Sequence, residues 1–295
     1  AAGKFLEQQQ TKNGDGLRVL SRTVSSPSLR DMIATFQLNL PGMQWIQYEP
    51  CNGDNAAEGA QLAFGQAVEP VYHFDKAAVV LSLDADFLER GPGHVRYTRD
   101  FTARRDVRDH AGQESNGALN RLYAVEAFPT VTGAMADHRL ALRPSQVESF
   151  ARALANKRGI PAGAIDLAAV FGDAAGTVEA WIEAISEDFD SHNGAVAVVA
   201  GPEQPPVVHA IAHALNGQTG SIGSAVTYIA PVAPQTGSQT ANLAALADDM
   251  RAGKIDTLVI LDANPVYESS PDIDFRGAME TMIKNGGTCI YNGLY

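Results

Sequence analysis

The chain has only two cysteines in 295 residues, Cys51 and Cys289, far apart and with no CxxC pair. That scarcity excludes a zinc knuckle and the four-cysteine run of an iron–sulfur cluster from this stretch; whether the two pair with each other stays open. Basic residues are also few: 22 Lys and Arg stand against 34 Asp and Glu, a net charge of -12. Non-specific nucleic-acid binding needs a dense basic surface to displace counterions, so nucleic acid is not an expected partner. No apolar run approaches the ~20 residues that span a bilayer, and no signal peptide is visible, so no direct membrane span is expected.

What is present is an ordinary globular composition, 45% hydrophobic and 19% charged, in a chain long enough for two packed units. Residues 1–16 are polar and punctuated by glycine, and read as a loosely held arm. Strand-like and helix-like patterns then alternate. Strands are expected at 17–20, 43–48, 77–83, 122–125, 195–200, 225–229, 257–261 and 288–291. Helices are expected from Ser26 onward and at 55–64, 144–157, 177–189, 205–216, 241–251 and 277–284, with a long charged loop over 84–116. The start at Pro144 is well signalled, with Ser145 as a cap and Glu148 three residues on. Such alternation argues for right-handed crossovers between parallel strands. The expected fold class is therefore α/β, with two doubly wound, mostly parallel-sheet lobes. The first lobe is placed at 17–190 and the second at 191–295, with 122–144 as a hinge. The second lobe reads as incomplete, because the chain stops after a strand.

Candidate chemistry is sparse. His209 and His213 lie four apart on one helix, but no glutamate follows the first and no third ligand is near, so a metal clamp is not favoured. Gly217, Gly220 and Gly223 are spaced by threes, which is not the phosphate-binding GxGxxG turn, and no GxSxG nucleophile elbow occurs. Asp84 and Asp86 follow the strongest strand, where an open α/β sheet places its ligand; they suit a metal or hydroxyls, or equally a capping role. Arg90, Arg96, Arg99, Arg104, Arg105 and Arg108, interleaved with Asp100, Asp106 and Asp109, form a basic stretch in an acidic chain. It reads either as a docking surface for a partner, carried by Arg96, Arg99, Arg104 and Arg105, or as an internal salt-bridge network.

Several segments also resemble a known family. Residues 71–89 (VYHFDKAAVVLSLDADFLE), 91–101 (GPGHVRYTRDF), 120–126 (NRLYAVE) and 132–139 (TGAMADHR) resemble the molybdopterin-oxidoreductase-like subunit of bacterial alternative complex III. The wider molybdopterin oxidoreductases are similar more faintly, at 77–86, 136–146, 219–223 (TGSIG) and 260–265 (ILDANP). The resemblance implies a respiratory quinol:electron-acceptor oxidoreductase on the periplasmic side of the inner membrane. It implies as partners the other subunits of that complex and the chain's own iron–sulfur region, which would hold the clusters outside this stretch.

Departures from the family pattern accompany the matches. Asp84 and Asp262 stand where those enzymes use glycine to admit the phosphates of the cofactor, and Ser145-Gln146 replaces a Gly-Thr-Asp segment. Added carboxylates repel a pyrophosphate. The expectation is a cofactor-free scaffold with no catalytic residue, no metal and a vestigial cleft at Cys51, Asp84, Asp86, Asp137, Arg143 and Asp262. The alternative is a true oxidoreductase fragment binding molybdopterin guanine dinucleotide. Cys51 carries that alternative, since it precedes a helix at nearly the family's metal-ligand spacing. Its acidic neighbours Glu49, Asp54 and Glu58 favour an inert core or loop thiol.

Overall fold

The computed structural model describes residue 7 and residues 9–106, 119–233 and 237–293. Among the described residues ten strands are formed: β1 (Leu17–Ser21), β2 (Gln44–Gln47), β3 (Glu69–Tyr72), β4 (Val79–Leu83), β5 (Arg121–Glu126), β6 (His138–Ala141), β7 (Val196–Ala200), β8 (Val226–Ile229), β9 (Thr257–Leu261) and β10 (Thr288–Asn292). The two main sheets are parallel, of four strands each, and their strands alternate with helices, so the chain is α/β. Among the described residues no helix is long and apolar enough to cross a membrane.

The chain divides into two compact units, Ala1–Asp54 with Pro231–Tyr295, and Asn55–Ala230. This differs from the expected cut near residue 190, and the physical reason is strand partnership. β9 pairs with β1 along five residues, Leu17 opposite Thr257 to Ser21 opposite Leu261, so both chain ends share one sheet. β7 pairs with β4, from Val79 opposite Val196 to Leu83 opposite Ala200, and so belongs with the middle of the chain. Residues 122–144 lie inside the second unit rather than forming a hinge.

In the first unit the strand order is β10-β9-β1-β2. The strands alternate their side chains between two faces. Leu20, Ile46, Leu258 and Ile260 pack with helices Gln239–Arg251 and Phe275–Lys284, whereas Leu17, Val19 and Val259 pack with Ile33 of helix Pro27–Asn39. The described part of the expected arm is tied down: Gln9 is buried and donates to Thr257 Oγ1 at 3.2 Å, and Lys12 pairs with Asp256 at 2.6 Å.

In the second unit the order is β6-β5-β4-β7, with β3 and β8 as a separate antiparallel pair. All five residues of β4 are buried, as expected for a central strand covered on both faces. Val79, Leu81 and Leu83 pack with helices Pro144–Lys157, Ala175–Ser191 and Pro206–Gln218. Val80 faces an aromatic cluster of Phe74, Phe87 and Phe101. Phe101 comes from helix His94–Ala103, inside the stretch expected as a charged loop. Of that helix, Phe101 joins the cluster and Tyr97, four residues earlier, packs against it, while Val95 is exposed. Helix Pro144–Lys157 starts as expected, but its cap is two residues earlier than Ser145: Gln146 Oε1 accepts the Arg143 N–H at 3.1 Å, so Ser145 and Glu148 lie inside the helix.

Candidate functional site

In a parallel sheet the ligand crevice lies beyond the carboxyl ends of the strands, where the strand order reverses. In the second unit that point falls between β4 and β7, because β5 and β6 are added on one side of β4 and β7 on the other. Asp84 sits there in the left-handed region at φ 56°, a conformation Asp tolerates better than most residues. Its N–H donates to Val125 O at 2.7 Å; its Oδ1 accepts the Ala127 N–H at 3.1 Å and its Oδ2 the Gln204 amide at 2.9 Å. Asp86 Oδ1 accepts from the Thr132 N–H at 3.0 Å and the Thr132 hydroxyl at 2.8 Å. Glu126, at the end of β5, is 3% exposed; it pairs with Arg139 and accepts the Thr130 hydroxyl at 2.6 Å. Gly133 is required beside it, since a Cβ there would stand 1.8 Å from Glu126 Oε1. The carboxylates of this edge are thus held by the chain's own donors.

The first unit repeats the strand end. Leu83-Asp84-Ala85 after β4 has its counterpart in Leu261-Asp262-Ala263 after β9, with Asp262 at φ 52°. As Asp84 N–H reaches Val125 O on the neighbouring strand, Asp262 N–H reaches Asn292 O at 2.8 Å. The Asp262 carbonyl accepts Arg22 Nε at 2.7 Å, and Arg22 pairs with Glu268 at 2.5 Å. The two Leu-Asp-Ala triplets, at 83–85 and 261–263, are visible in the sequence as a repeat and are the signal for these paired strand ends.

The remaining candidates do not join them. Asp137 lies at the start of β6, the opposite end of the strands from Asp84, where it accepts the Leu122 N–H at 2.8 Å and pairs with Arg105. Burial works against its charge, but Arg105 and the Leu122 N–H hold it below the usual carboxylate range. Arg143 is the exposed residue before helix Pro144–Lys157. Cys51 is an exposed free thiol in the loop after β2, so it is not part of a core.

The arginines are largely engaged within the chain. Arg96 pairs with Asp100 at 3.0 Å and donates to His73 Nδ1 at 2.9 Å; Arg99 pairs with the same Asp100 at 2.9 Å. Arg104 donates to Asp75 O at 3.2 Å, and Arg105 lies 4.7 Å over the Phe101 ring. Arg108 and Asp109 lie outside the described residues.

The two histidines of helix Pro206–Gln218 are buried. Burial lowers both to about 4, so they are neutral at pH 7. His213 Nδ1 contacts the Tyr228 hydroxyl at 2.9 Å, and His209 Nε2 is buried without a partner. Gly59 meets the helix so closely that a Cβ would stand 2.4 Å from His209 Cβ. Among the described residues no group of three His, Cys, Asp or Glu converges as a metal site.

No family model and no curated protein matches this chain. Among solved structures, it is similar to a chain of the formyltransferase/hydrolase complex FhcABCD from Methylorubrum extorquens, determined in complex with methylofuran. The TM-score is 0.51 at 15% identity, over 91% of this chain and 74% of that one. The likeness is one of fold.

This finding overturns the expected kinship. The neighbour belongs to a formyltransferase/hydrolase complex, a different family from the molybdopterin oxidoreductases. The reading as a scaffold of a respiratory quinol oxidoreductase falls with it, as do alternative complex III and the iron–sulfur subunit. The segments that suggested them run through β4, helix His94–Ala103, β5 and the start of β6, ordinary elements of an α/β unit. The periplasmic placement rested on that resemblance alone.

Proposed function

We propose that this chain is a non-catalytic α/β component of a multi-protein assembly, held to a partner protein through helix Pro27–Asn39. The observation that carries the reading is the apolar stripe on that helix. Leu29, Met32 and Phe36 recur at helical spacing and are 39, 59 and 46% exposed, while Ile33 alone is buried. A stripe of large apolar side chains facing water is costly at about 25 cal/mol per Å², and contiguous patches of this kind mark protein contacts.

Two further observations support the reading. Asp84, Asp86 and Glu126 at the carboxyl edge are bound by internal donors, so a reacting group would have to displace them. An added pyrophosphate would meet three carboxylates there, and we assign no cofactor to that edge. The fold neighbour is itself a component of a multi-subunit complex, an analogy of fold that raises the expectation of assembly without naming the partner.

The test is native mass spectrometry of the tagged chain recovered from its own cells. The wild type is expected in a stoichiometric hetero-complex, and the double variant Met32→Asp, Phe36→Asp as a folded chain without it. A wild-type chain recovered alone, or a variant that keeps its partner, contradicts the reading.

A further inference from the structure

A second feature of the first unit, independent of the docking helix's stripe, is a buried cation without a counter-ion. Arg18, in the middle of the parallel sheet on β1, is 7% exposed. Its Nη1 donates to the Leu17 carbonyl at 3.1 Å and its Nε is buried with no partner. Among the described residues no carboxylate lies within ion-pairing distance of it. A guanidinium cannot shed its proton to escape burial, so an unpaired one is held at a cost of several kcal/mol. Arginines in that position are ordinarily matched by an anion.

Space for one is present. Arg18 lines a cavity of about 300 Å³ at the edge strand β2, shared with Gln44, its register partner, and with Gln37. Among the described residues neither of these amides has a side-chain hydrogen bond. Ile46 and Leu246 supply apolar wall, and Trp45, whose Nε1 donates to Ser21 Oγ at 2.9 Å on the strand's other face, borders the cavity. Asp249 lines the same cavity and is paired with Lys254 at 2.8 Å. One cation beside one carboxylate accommodates a single negative charge better than two.

From this arrangement we infer a binding site for a small organic monocarboxylate with an apolar body. Its carboxylate pairs with Arg18, its body lies against Ile46 and Leu246 on the same face of the sheet, and the Gln44 amide completes its hydrogen bonds, with Trp45 at the cavity's edge on the strand's other face. A guanidinium presents parallel N–H groups that match a carboxylate in two-point fashion, which fixes the ligand's orientation as well as its charge. A phosphate dianion would bring a second charge toward Asp249, and is disfavoured for that reason.

The probe is benzoate, with benzamide as its neutral counterpart and inorganic phosphate as the competing anion. The chain has two tryptophans, Trp45 in the cavity wall and Trp181 in the other unit, so two indole N–H signals report on binding by NMR, assigned with Trp45→Phe. Benzoate is expected to move the Trp45 signal and leave Trp181 in place, with a dissociation constant on the order of 1 mM or tighter. Arg18→Met is expected to weaken it at least about tenfold, the effect of removing a charge-assisted hydrogen bond. Ala245→Trp, at an exposed lining position, is expected to block the cavity while the fold is kept, and decides the matter if Arg18→Met does not fold. No movement of the Trp45 signal overturns the site. So does equal binding of benzamide or phosphate, or benzoate binding that survives in Ala245→Trp.

Discussion

Gly201 lies against Asp84 so closely that a Cβ on the glycine would stand 2.0 Å from the Asp84 carbonyl oxygen. The contact joins the ends of β7 and β4, where Gly201 N–H also donates to Leu83 O at 2.9 Å, at the edge where a doubly wound sheet ordinarily holds its ligand. Gly201→Ala is therefore expected to destabilise the chain by about 1–3 kcal/mol through overpacking against backbone. Urea unfolding measures it, and a midpoint equal to the wild type's would show that the two strand ends are not in contact.

The Glu126 carboxylate joins Arg139 and Thr130 in the interior of the same edge. Glu126→Ala strips both partners, at a cost of about 2–3 kcal/mol given that Arg139 still reaches water. Glu126→Gln retains an acceptor for Thr130 and is expected to lose about half as much. If the two variants have the same urea midpoint, hydrogen bonding is not what holds Glu126.

What could be read from the sequence was local. The run of apolar residues that became β4 announced a strand buried on both faces, and Pro144 announced its helix. Partnership was not legible, because β7 and β9 are equally apolar and nothing short-range tells which central strand each joins. β3 was hidden by Pro70, which argues against a strand, yet β3 pairs only with β8, outside the four-stranded sheets. At the site, the placement of Asp84 and Asp86 at a strand end was readable. That Ala127, Gln204 and Thr132 occupy their oxygens was not, since those donors come from distant residues. Arg18 read as an ordinary strand residue, and only packing makes it an unpaired cation.

Acid should unfold the chain in two stages of sensitivity. His209 and His213 are lowered by burial to about 4 from an ordinary 6.5, so the unfolded chain binds more protons than the folded one between those values. Stability is expected to be fully present above pH ~6.5 and to fall as pH drops toward 4, by up to about 3 kcal/mol per histidine. Asp137 and Asp188 are held below their ordinary range despite burial, by Arg105 for the one and by Tyr123 and Arg121 for the other. Their contribution is present above the unfolded carboxylate range and is lost below it, at more acid pH than the histidines. Urea midpoints from pH 7 to 4 check the first stage, and His213→Phe should flatten part of the slope. A flat profile across that range contradicts burial of the two rings.

The two thiols should differ in access. Cys51 is exposed, while Cys289 on β10 is partly buried and its thiol is pushed up by that burial. Iodoacetamide at neutral pH is expected to label Cys51 first in the folded chain and both thiols in urea, read by mass spectrometry. Cys51→Ser should change stability by no more than about 0.5 kcal/mol, as for other exposed positions.

The most direct test of the docking reading is hydrogen–deuterium exchange of the native assembly against the isolated chain. Amides of helix Pro27–Asn39 should exchange more slowly in the assembly, because a partner seated on Leu29, Met32 and Phe36 suppresses local opening. Unchanged exchange over that helix, with protection appearing instead at the strand ends around Asp84 and Glu126, would contradict the account and return the carboxyl edge to consideration as the working surface.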